Sequence, residues 1–171
     1  MGVSTLRPDF VSPVAIREVV AGLGISGDAG NVVTTGVCLD SRLVRPRDLY
    51  VALPGFHSHG AAFSRQAVER GAVAILTDPA GARAAGEAGV PVLVSERLRP
   101  VMAEVSARVY GEPASELELF GVTGTNGKTT TVALLEATLA ATGRRVGTIG
   151  TLGFRLDCVA LPSGRSTVTT P

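Results

Sequence analysis

Tryptophan is absent, aromatic residues make up 4% of the chain, and only two cysteines and one lysine occur among its 171 residues. Each scarcity excludes something. Cys38 and Cys158 lie far apart, form no CxxC and have no histidine pair beside them, so neither a disulfide framework nor a zinc site is indicated. Both thiols are expected to be buried and unreactive. Charge of one sign is also lacking: sixteen basic residues against fifteen acidic ones leave +1, too little for a broad field that attracts a nucleic-acid backbone or an anionic membrane. No nucleic-acid or membrane partner is expected, and any bound anion must be gripped locally. No run approaches the ~18 apolar residues needed to span a bilayer, and no basic leader precedes an apolar segment, so a soluble, cytoplasmic protein is expected.

What the chain does have is apolar side chain. With 45% hydrophobic and 18% charged residues and a mean hydropathy of +0.31, it can bury a core, which argues against disorder. Fifteen of the sixteen basic residues are arginine, and Lys128 is the exception. GC-rich coding accounts for the arginines but not for the one ammonium, which a tight anion pocket would not exchange for a broad guanidinium.

Short apolar runs alternate with helix-like segments and turn signals, the pattern of α/β construction. The spacing predicts a helix over Val14 to Leu23 and strands over Asn31 to Leu39 and Leu49 to Leu53. An amphipathic helix from Ala61 to Arg70, a strand from Ala72 to Thr77, a helical element around Ala80 to Ala88 and a strand from Val90 to Val94 follow. Val101, Val105 and Val109 recur every four residues in a helix from Pro100 to Tyr110. Gly111-Glu112-Pro113 breaks it, which places a first domain at residues 1–113 and a second at 114–171. In the second, a strand from Leu117 to Val122, a loop, a helix from Lys128 to Ala141 and a strand from Arg145 to Ile149 read as one βαβ module. Thr151 to Leu161 reads as strand and turn. The predicted fold class is α/β: a small first domain, then the start of a phosphate-loop domain with an incomplete parallel sheet.

The chemical signal lies between that strand and helix, in Gly121-Val122-Thr123-Gly124-Thr125-Asn126-Gly127-Lys128-Thr129-Thr130-Thr131. Gly124 and Gly127 let the backbone curl with N–H groups turned inward, and the helix start adds the positive end of its dipole. Lys128 would bridge terminal phosphate oxygens, and the Thr129 hydroxyl would reach Mg2+. The strict GxxxxGK[ST] pattern asks for glycine where Val122 stands; the GKT and the strand-loop-helix context remain. An NKxD guanine-specificity segment is missing, which argues against a GTPase.

These residues resemble the Mur ligases. GTNGKTTT after an apolar strand is similar to their ATP loop. Leu39-Asp40-Ser41-Arg42, Arg47 through Gly55, His59-Gly60 and Gly71 to Ala74 are similar to their uridine-nucleotide-binding domain. Gly147 through Phe154 and the closing Thr169-Thr170-Pro171 most resemble the member that adds the third amino acid; the sister ligase that adds the terminal dipeptide is the nearest alternative, and a noncatalytic nucleotide-binding module the next.

The resemblance implies an ATP- and Mg2+-dependent ligase of peptidoglycan precursor synthesis, acting on UDP-N-acetylmuramoyl-L-alanyl-D-glutamate and an amino acid. It implies ATP contacts at Gly124, Thr125, Asn126, Gly127, Lys128, Thr129 and Thr130, with Lys128 catalytic and Thr129 at the metal. It places Leu39 and Ser41 at the uridine end, Phe56, His57 and Ser58 on the flanking loop, and Thr169 and Thr170 on the muramoyl-peptide part. Taken singly, Asp40-Ser41 is a turn former, the loop histidines His57 and His59 are solvated, and Thr169 and Thr170 are extended chain before proline. Only the ordered set favours function. The resemblance also implies a modified lysine and a third domain further along. No lysine follows Lys128, so these 171 residues are expected to be the front part of a longer protein and not to turn over alone.

Overall fold

The computed structural model describes residues 7, 8 and 10–161. It separates into two compact units, one spanning Phe10–Glu118 and the other beginning at Leu119. The sequence pattern places the division between Pro113 and Ala114; the compact first unit runs on through a 3-10 turn at Pro113–Glu116 to Glu118.

The first unit runs β1 (Val14–Ala15), α1 (Ile16–Val20), β2 (Val33–Thr34), β3 (Gly36–Cys38), β4 (Asp48–Ala52), a 3-10 turn (Gly60–Phe63) leading into α2 (Ser64–Glu69), β5 (Ala74–Thr77), α3 (Pro79–Gly86), β6 (Val92–Val94) and α4 (Leu98–Val109). Strands β3-β4-β5-β6 form a parallel sheet in chain order. Every residue of β4 and β5 is buried, as a parallel sheet covered on both faces requires. Alternation along the strands divides the core. Leu49, Val51 and Leu76 pack with Ile16 and Val19 of α1 and with Val101, Val105 and Val109 of α4. Tyr50, Ala52 and Ile75 pack on the other side with Ala67 of α2 and Ala85 of α3. The four-residue valine stripe of α4 is thus the buried one.

The predicted strand from Asn31 to Leu39 divides in two. Thr34 marks the break: its hydroxyl shares its one proton between the carbonyls of Gly36 and Arg47, both 2.9 Å away, and accepts from Gly36 N–H at 3.3 Å. Val33–Thr34 pairs antiparallel with β1, and Gly36–Cys38 pairs parallel with β4.

The second unit contains α5 (Lys128–Ala141) and the strands β7 (Gly147–Gly150), β8 (Gly153–Leu156) and β9 (Val159–Leu161). These strands form an antiparallel meander, β7-β8-β9. The strand predicted from Leu117 to Val122 is not formed, and among the described residues of this unit neither is the βαβ module or a parallel sheet. A parallel strand exists only through its partner, and β7 takes β8 instead; Leu119 and Phe120 stand exposed. The turn between β8 and β9 puts Asp157 and Cys158 at φ 50° and 65°. Cys158 is therefore exposed, against the expectation of burial, while Cys38 is buried. Among the described residues, no helix is long and apolar enough to cross a membrane.

Candidate functional site

Two sets of candidate residues occupy the two units, and the geometry of each is local. In the second unit the loop ahead of α5 is irregular, and Gly127 caps the helix at φ 79°, a left-handed conformation in which a side chain would be strained. Having no side chain, Gly127 cannot cap the first turn, so that turn's N–H groups are left for an incoming acceptor at the positive end of the dipole. The first bond within the helix runs from Thr131 N–H to the Gly127 carbonyl at 2.9 Å. The Lys128 ammonium folds back over the loop and donates to the carbonyls of Gly124 and, at 3.3 Å, Thr125. Gly124, Thr125, Asn126, Gly127, Lys128, Thr129 and Thr130 thus form one exposed curl and first helical turn. Compact positive charge and the amides of the first helical turn fit a polyphosphate, and the Thr129 hydroxyl is the side-chain oxygen that would serve its Mg2+. Among the described residues no cluster of histidine, cysteine or carboxylate side chains offers an alternative metal site.

In the first unit the candidates follow neighbouring strands. Leu39 and Ser41 leave the carboxyl end of β3, and Phe56, His57 and Ser58 leave that of β4; the strands are paired in register, so both loops emerge from one edge of the sheet. That edge is where ligands bind in open α/β sheets. Leu39 is exposed, whereas Ser41 is buried and donates its hydroxyl to Gln66 Oε1 at 2.6 Å. Asp40 closes a tight local turn by accepting from the Arg42 N–H at 3.0 Å and from its guanidinium at 2.9 and 2.8 Å. This hydrogen bonding, with the attraction of the carboxylate, raises the Arg42 pKa above its ordinary value.

Phe56 is fully exposed, and His57 and Ser58 are exposed beside it. The base of their loop is fixed. Gly60 N–H bonds the Leu53 carbonyl at 2.8 Å, and the Tyr50 hydroxyl bonds the Gly60 carbonyl at 3.0 Å. His59 is not a solvated loop histidine. Its Nδ1 accepts from Ala61 N–H at 3.0 Å, which leaves the proton on Nε2 to donate to Asp78 Oδ1 at 3.0 Å. The same Asp78 oxygen accepts from Gly81 N–H at 2.8 Å, capping α3.

Gln66 and Asp78 were not among the predicted site residues. Asp78-Pro79 ahead of a helical segment is a helix-start signal, so its cap was legible; its second partner, nineteen positions back, was not. Nothing local marks Gln66 as a partner of Ser41. At the far end of the same edge, Gly22, Leu23, Gly24, Ser26, Ser95 and Arg97 line much of an open cleft of about 540 Å³. Thr169 and Thr170 lie outside the described residues.

Comparison with known proteins agrees with both halves. Residues 33–110 match the sequence pattern of the "Mur ligase family, catalytic domain", and residues 122–171 match that of the "Mur ligase middle domain". The chain is 45% identical over 161 residues to UDP-N-acetylmuramoyl-L-alanyl-D-glutamate–2,6-diaminopimelate ligase of Streptomyces coelicolor, covering 94% of this chain and 32% of that protein. It is 42% identical over 170 residues to UDP-N-acetylmuramyl-tripeptide synthetase of Leifsonia xyli subsp. xyli, covering 98% of this chain and 32% of that one. Its structure is similar to a solved UDP-N-acetylmuramoyl-L-alanyl-D-glutamate–2,6-diaminopimelate ligase, with a TM-score of 0.63 and 27% identity over 84% of this chain and 29% of the other. The chain therefore spans about a third of the length of these relatives.

Proposed function

Because the chain belongs to the Mur ligase family, we propose that it carries the uridine-nucleotide domain and the ATP loop of a ligase of peptidoglycan precursor synthesis. Its domains are residues 1–113 and 114–171, as the sequence pattern divides them. The reaction is addition of the third amino acid to UDP-N-acetylmuramoyl-L-alanyl-D-glutamate, and the names of the relatives favour 2,6-diaminopimelate as that amino acid. The sister ligase that adds the terminal dipeptide is not named among these relatives.

The observation that carries the reading is the curl at Gly124–Thr130, with the chain's one lysine laid over it at a helix start. In the proposed reaction the γ-phosphoryl group of ATP passes to the D-glutamate side-chain carboxylate, giving ADP and an acyl phosphate. The amine of the incoming amino acid then attacks the acyl carbon, loses a proton and expels inorganic phosphate. Phosphoryl transfer asks a protein mainly for positioning and charge. Lys128 exchanges its two carbonyl partners for phosphate oxygens, the amides of the α5 first turn hold the remaining oxygens, and the Thr129 hydroxyl would be a ligand for Mg2+. That metal would offset charge on the transferred group. At the edge of the first unit, Leu39, Ser41 and the Phe56–Ser58 loop hold the uridine end, where hydroxyls and backbone recognise a neutral base without strong charge. Thr169 and Thr170 hold the muramoyl-peptide part.

Calorimetric titration of the chain with ATP and Mg2+ tests the first site, and NMR titration with UDP tests the second. Binding of ATP that Lys128→Ala leaves unchanged, or UDP shifts that avoid residues 39, 41 and 56–58, would contradict the corresponding half of the reading.

A further inference from the structure

The loop after β4 shows a contrast within a few residues. Its tip puts Phe56 wholly in solvent, while its C-terminal base is tied to another strand and another helix. An aromatic ring without a covering partner is held up by something other than burial. The tie is His59. Its two ring nitrogens serve two different elements: Nδ1 accepts from Ala61 in the following 3-10 turn, and Nε2 donates to Asp78, which follows β5 and caps α3. Asp78 is in turn fixed by Gly81 N–H.

The packing around this tie is specific to it. A Cβ added at Gly81 would fall 2.4 Å from His59 Cε1 and 2.3 Å from Thr77 Oγ1, so α3 approaches closely enough only because residue 81 is glycine. Thr77 itself donates to the Ala52 carbonyl at 3.1 Å, the last residue of β4. The imidazole thus sits against α3 at Gly81, beside the Thr77 hydroxyl that ties β5 to the end of β4. A histidine with both nitrogens engaged has one tautomer and one orientation, and the chain leaving it inherits that direction.

We propose that His59, with Asp78 and Gly81, is a positioning element that pre-orders the Phe56–Ser58 loop for the uridine nucleotide. The role rests on the uridine reading given above. It is a positioning role and not a contact: His59 faces the protein on both nitrogens, and the ligand meets the tip. Its energetic form is simple. If loss of the Asp78 bond lowers the fraction of loop in the competent arrangement to about a tenth, the apparent dissociation constant rises about tenfold without any contact to the ligand being removed.

The test compares the wild-type 171-residue chain with His59→Ala, His59→Asn and His59→Gln by NMR titration with UDP, together with amide relaxation of residues 56–58 and thermal unfolding. Gln keeps a donor near the position of Nε2 and so keeps the Asp78 bond; Asn keeps an acceptor near Nδ1 and loses it. The expected result is about tenfold weaker UDP binding in the Ala and Asn variants, increased tip motion in both, and near wild-type values for Gln. A merely structural histidine would lower the unfolding temperature of all three and leave the affinity of the folded protein alone, which would overturn the role. Equal weakening in Gln and Ala would also overturn it, since the Asp78 bond would then not be the cause. If the wild-type chain shows no UDP shifts at all, the uridine reading fails and the positioning role with it. UDP shifts that persist unchanged in His59→Ala sink the positioning role alone.

Discussion

The two units of this chain carry equally recognisable motifs on very different foundations. In residues 10–118 a four-stranded parallel sheet is covered on both faces, and β4 and β5 are buried throughout. Among the described residues of the other unit only Glu136 is buried, while Leu134, Ile149, Leu152 and Val159 are exposed. The difference teaches that a glycine curl at a helix start and a core are separable. The curl at Gly124–Thr130 needs only glycines, a helix start and one ammonium. A sheet needs partners from across the chain.

Four experiments sharpen or break that contrast, and the largest effect belongs to the first unit. Leu76→Ala, in a fully buried position of β5, is expected to destabilise residues 10–118 by about 2–5 kcal/mol, measured by denaturant unfolding. A cost under about 1 kcal/mol would mean that the sheet is not the cooperative core described here. Next comes Lys128→Ala, which removes charge-assisted bonds worth about 1.5–3 kcal/mol to phosphate. ATP affinity should fall by about one to two orders of magnitude, with the unfolding transition of the first unit unmoved.

Smaller still is Arg155→Ala. It unpairs buried Glu136 from a half-exposed guanidinium 3.2 Å away, and should cost about 1 kcal/mol, visible as faster amide exchange in α5 and β8. The smallest effect is expected for Leu134→Ala, whose side chain is exposed on α5: a change within about 0.5 kcal/mol. A loss of several kcal/mol there would show that the apolar side of α5 is covered in solution and would erase the contrast.

How much of this could be seen in the sequence follows the same division between local and distant causes. α5 begins and ends at the predicted residues, Lys128 and Ala141, because a glycine at each side and an uninterrupted run of helix formers settle both ends locally. The valine stripe of α4 was legible for the same reason. The strand expected from Leu117 to Val122 was not formed, since its apolar pattern describes a buried strand without naming the neighbour that would bury it. Thr34 looks like an ordinary strand residue, and only its bonds to Gly36 and Arg47 mark that the strand divides there. At the candidate sites the curl at Gly124–Thr130 and the helix start behind it rest on local sequence and were readable on that account. The ties of Ser41 to Gln66 and of His59 to Asp78 span 25 and 19 positions, and no local pattern announces them.

The posture of Lys128 carries one more consequence. Because its ammonium already rests on two backbone oxygens, capture of a guest is a substitution reaction rather than a simple addition. A singly charged ion such as chloride offers one site in exchange for two and has little leverage. On the proposed reading, a triphosphate offers several oxygens of higher charge and would draw the side chain off, so the loop would discriminate by valence before any base or sugar is inspected.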